Sequence, residues 1–190
     1  MRFCIFYMQE ICKRKAEILY ILRLEVANVQ DVANFFIEIG QAQAENGSGD
    51  PVTPMQLEKL LYFAQGWHLA KFGTPLFEDD FKAWKYGPVI PDIYHKYKVY
   101  GRSGIMREGA PCVVEHFTPE EYELLLDVAR EYMRYSASGL VQLSHEKGAP
   151  WDKADSNGTI PKEEIKEYFA GCDPLPSFDD LLEGYPVEIL

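Results

Sequence analysis

Between Phe81 and Arg107 this chain places Lys82, Lys85, Lys96, Lys98, Arg102 and Arg107 against one acid, Asp92, although its formal net charge is -11. Trp84, Tyr86, Pro88 and Tyr94 are interleaved with those bases. Indole, phenol and ammonium groups side by side suit a binding hot spot, because each ring offers a large apolar face and the cation adds a directional charge. The run reads in two ways. Trp84, Lys85, Tyr86, Pro88, Tyr94, Lys96 and Lys98 face outward as a partner-binding surface, or the rings close a core while the lysines form a solvated face.

Ordinary catalytic chemistry is harder to find. His68, His95, His116 and His145 include no i, i+4 pair of the kind that holds a metal on a helix. Cys4, Cys12, Cys112 and Cys172 form no CxxC pair and have no histidine at ligand spacing, so they read as reduced thiols. Ser144, His145 and Glu146 are adjacent, and neighbours on a helix point about 100° apart, which prevents a nucleophile and base from meeting. The chain contains no GxSxG elbow, phosphate-binding loop or dinucleotide fingerprint. The expectation is a protein without metal or cofactor that is not an enzyme, unless folding assembles a site from distant residues.

The element that must position the aromatic run lies just upstream. Thr53 with Gln56 three residues on has the form of a capping box, and Pro54 suits the first helical position. Leu57, Leu60, Leu61, Ala64 and Trp67 recur at helical spacing, while Met55, Tyr62, Phe63, Leu69 and Phe72 fill much of the remaining circumference. A helix apolar nearly all round belongs in the interior. His68 on it reads as a hydrogen-bonded core residue. Gly66 reads as a point of close helix approach, and Gly73 with Pro75 ends the helix.

Phe81 to Tyr86 has the alternation of a short strand, Gly87-Pro88 reads as the turn that ends it, and Pro91 opens a helix closed by Gly101. Upstream, Asp31 to Ala44 forms a first helix with Val32, Phe35, Phe36 and Ile39 on one face. Downstream, Thr118 and Glu121 make a second capping box before a stripe of Tyr122, Leu125, Leu126, Ala129, Tyr132 and Met133. Leu140 to His145 and Pro161 to Phe169 complete the helices, and Cys112 to His116 is a candidate strand against Phe81 to Tyr86. His145 and Trp151, like Trp67, serve the fold or the partner surface; Trp151 after Pro150 suits a plug at the domain base.

The fold class is therefore mainly α: a helical domain around one buried central helix, with room for a small β element. Three blocks, LEKLLYFAQGWHLAKFGTPLF (57–77), AWKYGPVIPDIYHKY (83–97) and LSHEKGAPW (143–151), occur in this order and spacing. Together they resemble the Panacea domain of SocA-like antitoxins, found among phage-associated proteins, over residues 28–169. The resemblance implies a helical domain that neutralises a toxin protein encoded nearby, usually by direct binding and in one branch by delivery to a cytoplasmic protease. Two other classes stay open beside it: a DNA-binding autorepressor using the local bases, or an enzyme with a folded-together site.

Composition narrows those alternatives. At 47% hydrophobic and 14% aromatic the chain can bury one sizeable core. Its acidity argues against a nucleic-acid or anionic-membrane surface, both of which need a positive field. No run reaches the roughly 18 apolar residues of a spanning helix, and the N-terminal run is too short for a signal peptide, so the cytoplasm is the expected location. Residues 1–27 read as an N-terminal extension outside the native domain, with Val26 a candidate alternative start; 28–171 as the domain; and 172–190 as an acidic tail without a base.

Overall fold

Thr53 accepts a hydrogen bond from Gln56 N and its own N–H reaches Gln56 Oε1, the reciprocal pair expected of a capping box. From that cap the axis of the fold runs over Pro54–Phe72 and stops at Gly73, whose φ of 80° is the left-handed conformation that lets its N–H return to Leu69 O. The computed structural model describes residues 26–106 and 116–176. Among these the protein is mainly α-helical with one small antiparallel sheet. The helices are α1 (Val29–Glu45), α2 (Pro54–Phe72), α3 (Pro91–Tyr97), α4 (Pro119–Tyr132), α5 (Ala137–Ser144), α6 (Pro150–Lys153) and α7 (Lys162–Ala170). The strands β1 (Phe81–Trp84), β2 (Gly87–Val89) and β3 (Thr159–Ile160) run in the order β2-β1-β3.

Helix α2 is surrounded: α1, α4, α5, α7, α3 and β2 all pack on it. Its sequence shows no single apolar stripe because no face of it meets bulk water for most of its length. Gly66 is where α7 comes closest, since a Cβ there would lie 2.3 Å from the Phe169 ring. Rings then interlock around that contact: Phe63 stacks on Tyr132 at 4.0 Å, Trp67 meets Phe169 edge-on at 5.3 Å, and Tyr62 meets Phe81 edge-on at 5.5 Å. Trp67 Nε1 donates to the Tyr132 hydroxyl at 2.9 Å.

The second capping box, Thr118 with Glu121, opens α4. Two details of the sheet differ from the sequence expectation. The hairpin turns at Lys85-Tyr86, while Gly87 and Pro88 belong to β2, where Pro88 lies opposite Ala83. An edge strand tolerates a residue without an N–H, and Gly87 adopts φ 102° beneath a lysine side chain that leaves no room for a Cβ. The other edge of β1 is taken by β3, with Phe81 opposite Ile160. Residues 112–115 of the candidate strand lie outside the described residues, as do 1–25 and 177–190.

Candidate functional site

Glu58 and Lys59, in the first turns of α2, are almost completely buried. A helix enclosed on all sides must satisfy any charge it carries, and these two find backbone partners on the segment from β2 to α3. Lys59 Nζ donates to Pro88 O at 2.7 Å, and Glu58 Oε2 accepts from Ile90 N at 2.8 Å. Pro88 and Pro91 have no N–H to offer, so the free carbonyl and the free N–H of this proline-bounded run are claimed by one cation and one anion. Burial raises the Glu58 carboxyl above the usual carboxylate range, opposed by the Ile90 N–H and by Lys59. Burial likewise lowers Lys59, with Glu58 opposing the shift.

The third block closes on the same point. A Cβ on Gly87 would meet Lys59 Cε at 2.6 Å and Ser144 Oγ at 2.8 Å, so the hairpin, α2 and the end of α5 converge there. His145 stacks on Trp151 with ring centroids 3.4 Å apart and planes 9° from parallel. Its pKa is lowered, first by burial and then by Lys59, which favours the neutral ring in that stack. Trp151 Nε1 donates to Trp84 O at 2.8 Å, fixing the far end of β1. Two stretches distant in sequence, the start of α2 and the block 144–151, thus clamp one hairpin by its backbone.

With its backbone held from behind, the hairpin presents side chains forward. Trp84, Lys85, Tyr86, Tyr94 and Lys98 line an open cleft of about 460 Å³ between the start of α2 and α3, with Met55 on the opposite wall and Glu58 and Lys59 reaching it from within. Trp84 meets Tyr94 edge-on at 5.0 Å, and Lys85 Nζ lies 5.3 Å from the centre of the Tyr86 ring. Tyr86 is 57% exposed, Met55 39% and Tyr94 37%. On the adjoining 3-10 turn, Lys98 Nζ lies 3.3 Å from His95 Nδ1.

The remaining residues singled out from sequence are placed elsewhere. Lys96 turns toward α1, donating to Gln30 Oε1 at 2.6 Å. Pro88 is buried, and its contribution to the site is its carbonyl. Trp67 is in the core against Phe169 and Tyr132. His68 is buried, its Nδ1 2.7 Å from Thr74 O, with its pKa lowered chiefly by that burial. No cluster of metal-ligating side chains occurs among the described residues. No described helix is long and apolar enough to cross a membrane.

Residues 57–152, roughly half of the chain, match the family described as Antitoxin SocA-like, Panacea domain. The chain is also 35% identical over 159 residues to Antitoxin SocA of Caulobacter vibrioides (strain NA1000 / CB15N), an alignment that covers 72% of this chain and 84% of that relative. The chain belongs to the SocA-like antitoxin family. No solved structure matches it. The span matched to the Panacea domain begins at Leu57, beside the Glu58–Lys59 pair, and ends just past Trp151, so it encloses every member of the hairpin clamp.

Sequence reasoning did not find Glu58 or Lys59, and weighed Ser144 only as a nucleophile. A signal was present: charges inside a stretch inferred to be buried on every side must be paired with something. What the chain does not spell out is that the partners are backbone atoms some thirty residues away.

Proposed function

We propose that this protein is a cytoplasmic antitoxin that binds a toxin protein encoded beside it and neutralises it by occlusion. The toxin docks on the cleft formed by the start of α2, the tip of the β1–β2 hairpin and α3. The observation that carries this reading is the ring of exposed Tyr86, Tyr94 and Met55 around a cleft whose backbone is clamped from behind. Pre-organised aromatic anchors give up little conformational entropy on binding, the property that concentrates binding energy in a few residues. A stable complex would bury on the order of 1,600 Å² in total, so the cleft is the centre of a wider face. Trp84, Lys85, Tyr86, Tyr94 and Lys98 are its contact residues, whereas Pro88, Trp151 and His145 hold it in shape.

The test is co-expression with each adjacent reading frame in a bacterial host, scoring growth rescue and then co-purification at high salt. Rescue accompanied by a salt-resistant complex supports direct neutralisation. Rescue without any complex, or no toxic neighbour, overturns it. A toxin half-life that shortens when this protein is present would replace occlusion with delivery to a protease.

A further inference from the structure

The cleft has a charge that the chain as a whole does not. Lys85 and Lys98 line it as exposed cations, whereas the two other charged lining residues, Lys59 and Glu58, are buried beneath it, Lys59 already bonded to Pro88 O. The Glu58 carboxylate is likewise taken, accepting the Ile90 N–H at 2.8 Å from inside the fold. Against a protein of net charge -11, the cleft is a positive concavity with aromatic walls. Such a cavity is complementary to a peptide that carries carboxylates beside a large apolar side chain, and it repels a basic one.

We infer that the cleft captures a short acidic segment of the partner, seating an apolar or aromatic side chain between Met55 and Tyr86 while its carboxylates meet Lys85 and Lys98. This deepens, and rests on, the reading of the cleft as the toxin-docking surface. The two lysines reach the cleft from different elements, one from the hairpin tip and one from just after α3. A segment lying in the cleft therefore meets bases from two separate elements beside the rings of Trp84, Tyr86 and Tyr94.

Fluorescein-labelled random peptides of about a dozen residues, equally rich in Leu, Phe and Tyr but made as acidic, neutral and basic pools, test this with the full chain by fluorescence polarisation. The acidic pool is expected to bind at least roughly tenfold more tightly than the basic one, and Lys85→Glu with Lys98→Glu to reverse that order. Tyr86→Ala should weaken the acidic pool by roughly tenfold or more without changing the order. All three side chains are exposed, so the variants keep the fold, checked by circular dichroism. Equal binding of the pools, preference for the basic pool, or displacement of the acidic peptides by a single-stranded oligonucleotide at lower concentration overturns the inference. Growth rescue with no acidic preference leaves an antitoxin that docks elsewhere; acidic preference without rescue by any neighbour leaves the cleft's ligand class and removes the toxin.

Discussion

The two halves of α2 are both buried, yet they hold their neighbours by different physics. The C-terminal half holds α4 and α7 by shape: Phe63, Gly66 and Trp67 interlock with Phe169 and Tyr132 around the Trp67–Tyr132 hydrogen bond, while the side chains of Gln65 and His68 bond the backbone that follows the helix, at Thr74, Leu76 and Phe77. The N-terminal half works by charge: Glu58 and Lys59 grip one N–H and one carbonyl of the hairpin segment. Ring packing fixes distances but tolerates small slides, whereas two charge-assisted bonds to named backbone atoms fix register. The difference matters because the charged half lies beneath the cleft. A surface whose aromatic residues face water cannot be organised by burying them, so its backbone is anchored instead.

If that contrast is right, removing the anchor should cost more than disturbing the packing. Lys59→Ala strips the donor from Pro88 O and leaves the Glu58 carboxylate buried without its neighbouring cation. Breaking one side of a buried pair costs about 3 to 5 kcal/mol, and urea unfolding should show a loss in that range. Gly66→Ala drives a methyl into the Phe169 ring, an overpacking that costs about 1 to 3 kcal/mol, part of it recovered when Phe169→Leu is added. A Gly66→Ala loss exceeding that of Lys59→Ala would invert the comparison.

The charged half should also leave a pH signature opposite in sign to that of His68 in the packed half, whose lowered pKa makes stability rise with pH. Burial raises the folded-state pKa of Glu58 above its unfolded value, so over that interval the folded protein holds a proton that the unfolded chain has released. With more protons on the native state, this group's contribution to stability falls as pH rises from the ordinary carboxylate range toward neutrality. Lys59 is displaced downward, so on the alkaline side its contribution has the opposite sign and stability recovers toward the ordinary lysine pKa. Glu58→Gln keeps an acceptor for Ile90 N and removes the acidic limb. The gap in unfolding free energy between variant and wild type, from urea unfolding, should therefore change by on the order of 1 kcal/mol between about pH 5 and pH 7.5. A gap that stays constant with pH would mean that Glu58 does not titrate inside the fold.

The packed half was far more legible in the sequence than the charged one. Thr53, Gln56, Pro54 and Gly73 delimit α2 by local rules, and the all-round apolar pattern states its burial directly. Gly66 could be read as a close approach because a glycine within a helix has a cost that needs a reason. The clamp could not be read, because a lysine bound to a carbonyl looks in sequence like any surface lysine. The same blindness misassigned the hairpin turn: Gly87-Pro88 has the composition of a turn, and only the Lys59 side chain above Gly87 shows why it stands in β2. At the cleft, sequence gathered Trp84, Lys85, Tyr86, Tyr94 and Lys98 correctly as neighbours but also drew in Lys96, which the helical rotation of α3 carries round to Gln30.

The smallest effect on stability should come from the residue with the largest expected effect on binding. Tyr86 sits at the hairpin tip, 57% exposed, and none of the bonds that clamp the hairpin uses its side chain. Tyr86→Ala should therefore shift the unfolding free energy by no more than about 0.5 kcal/mol, as surface substitutions away from structural bonds do. Association with a co-purifying toxin should weaken by about 2 kcal/mol, roughly thirtyfold, measured by titration calorimetry on the same preparations. Trp84 is the natural control, because its ring is half-buried against Tyr94, so its truncation should lower both quantities together. If Tyr86→Ala instead destabilised the fold as much as Trp84→Ala, the cleft rim would be core in disguise. The separation between a clamped backbone and a free aromatic face would then be lost.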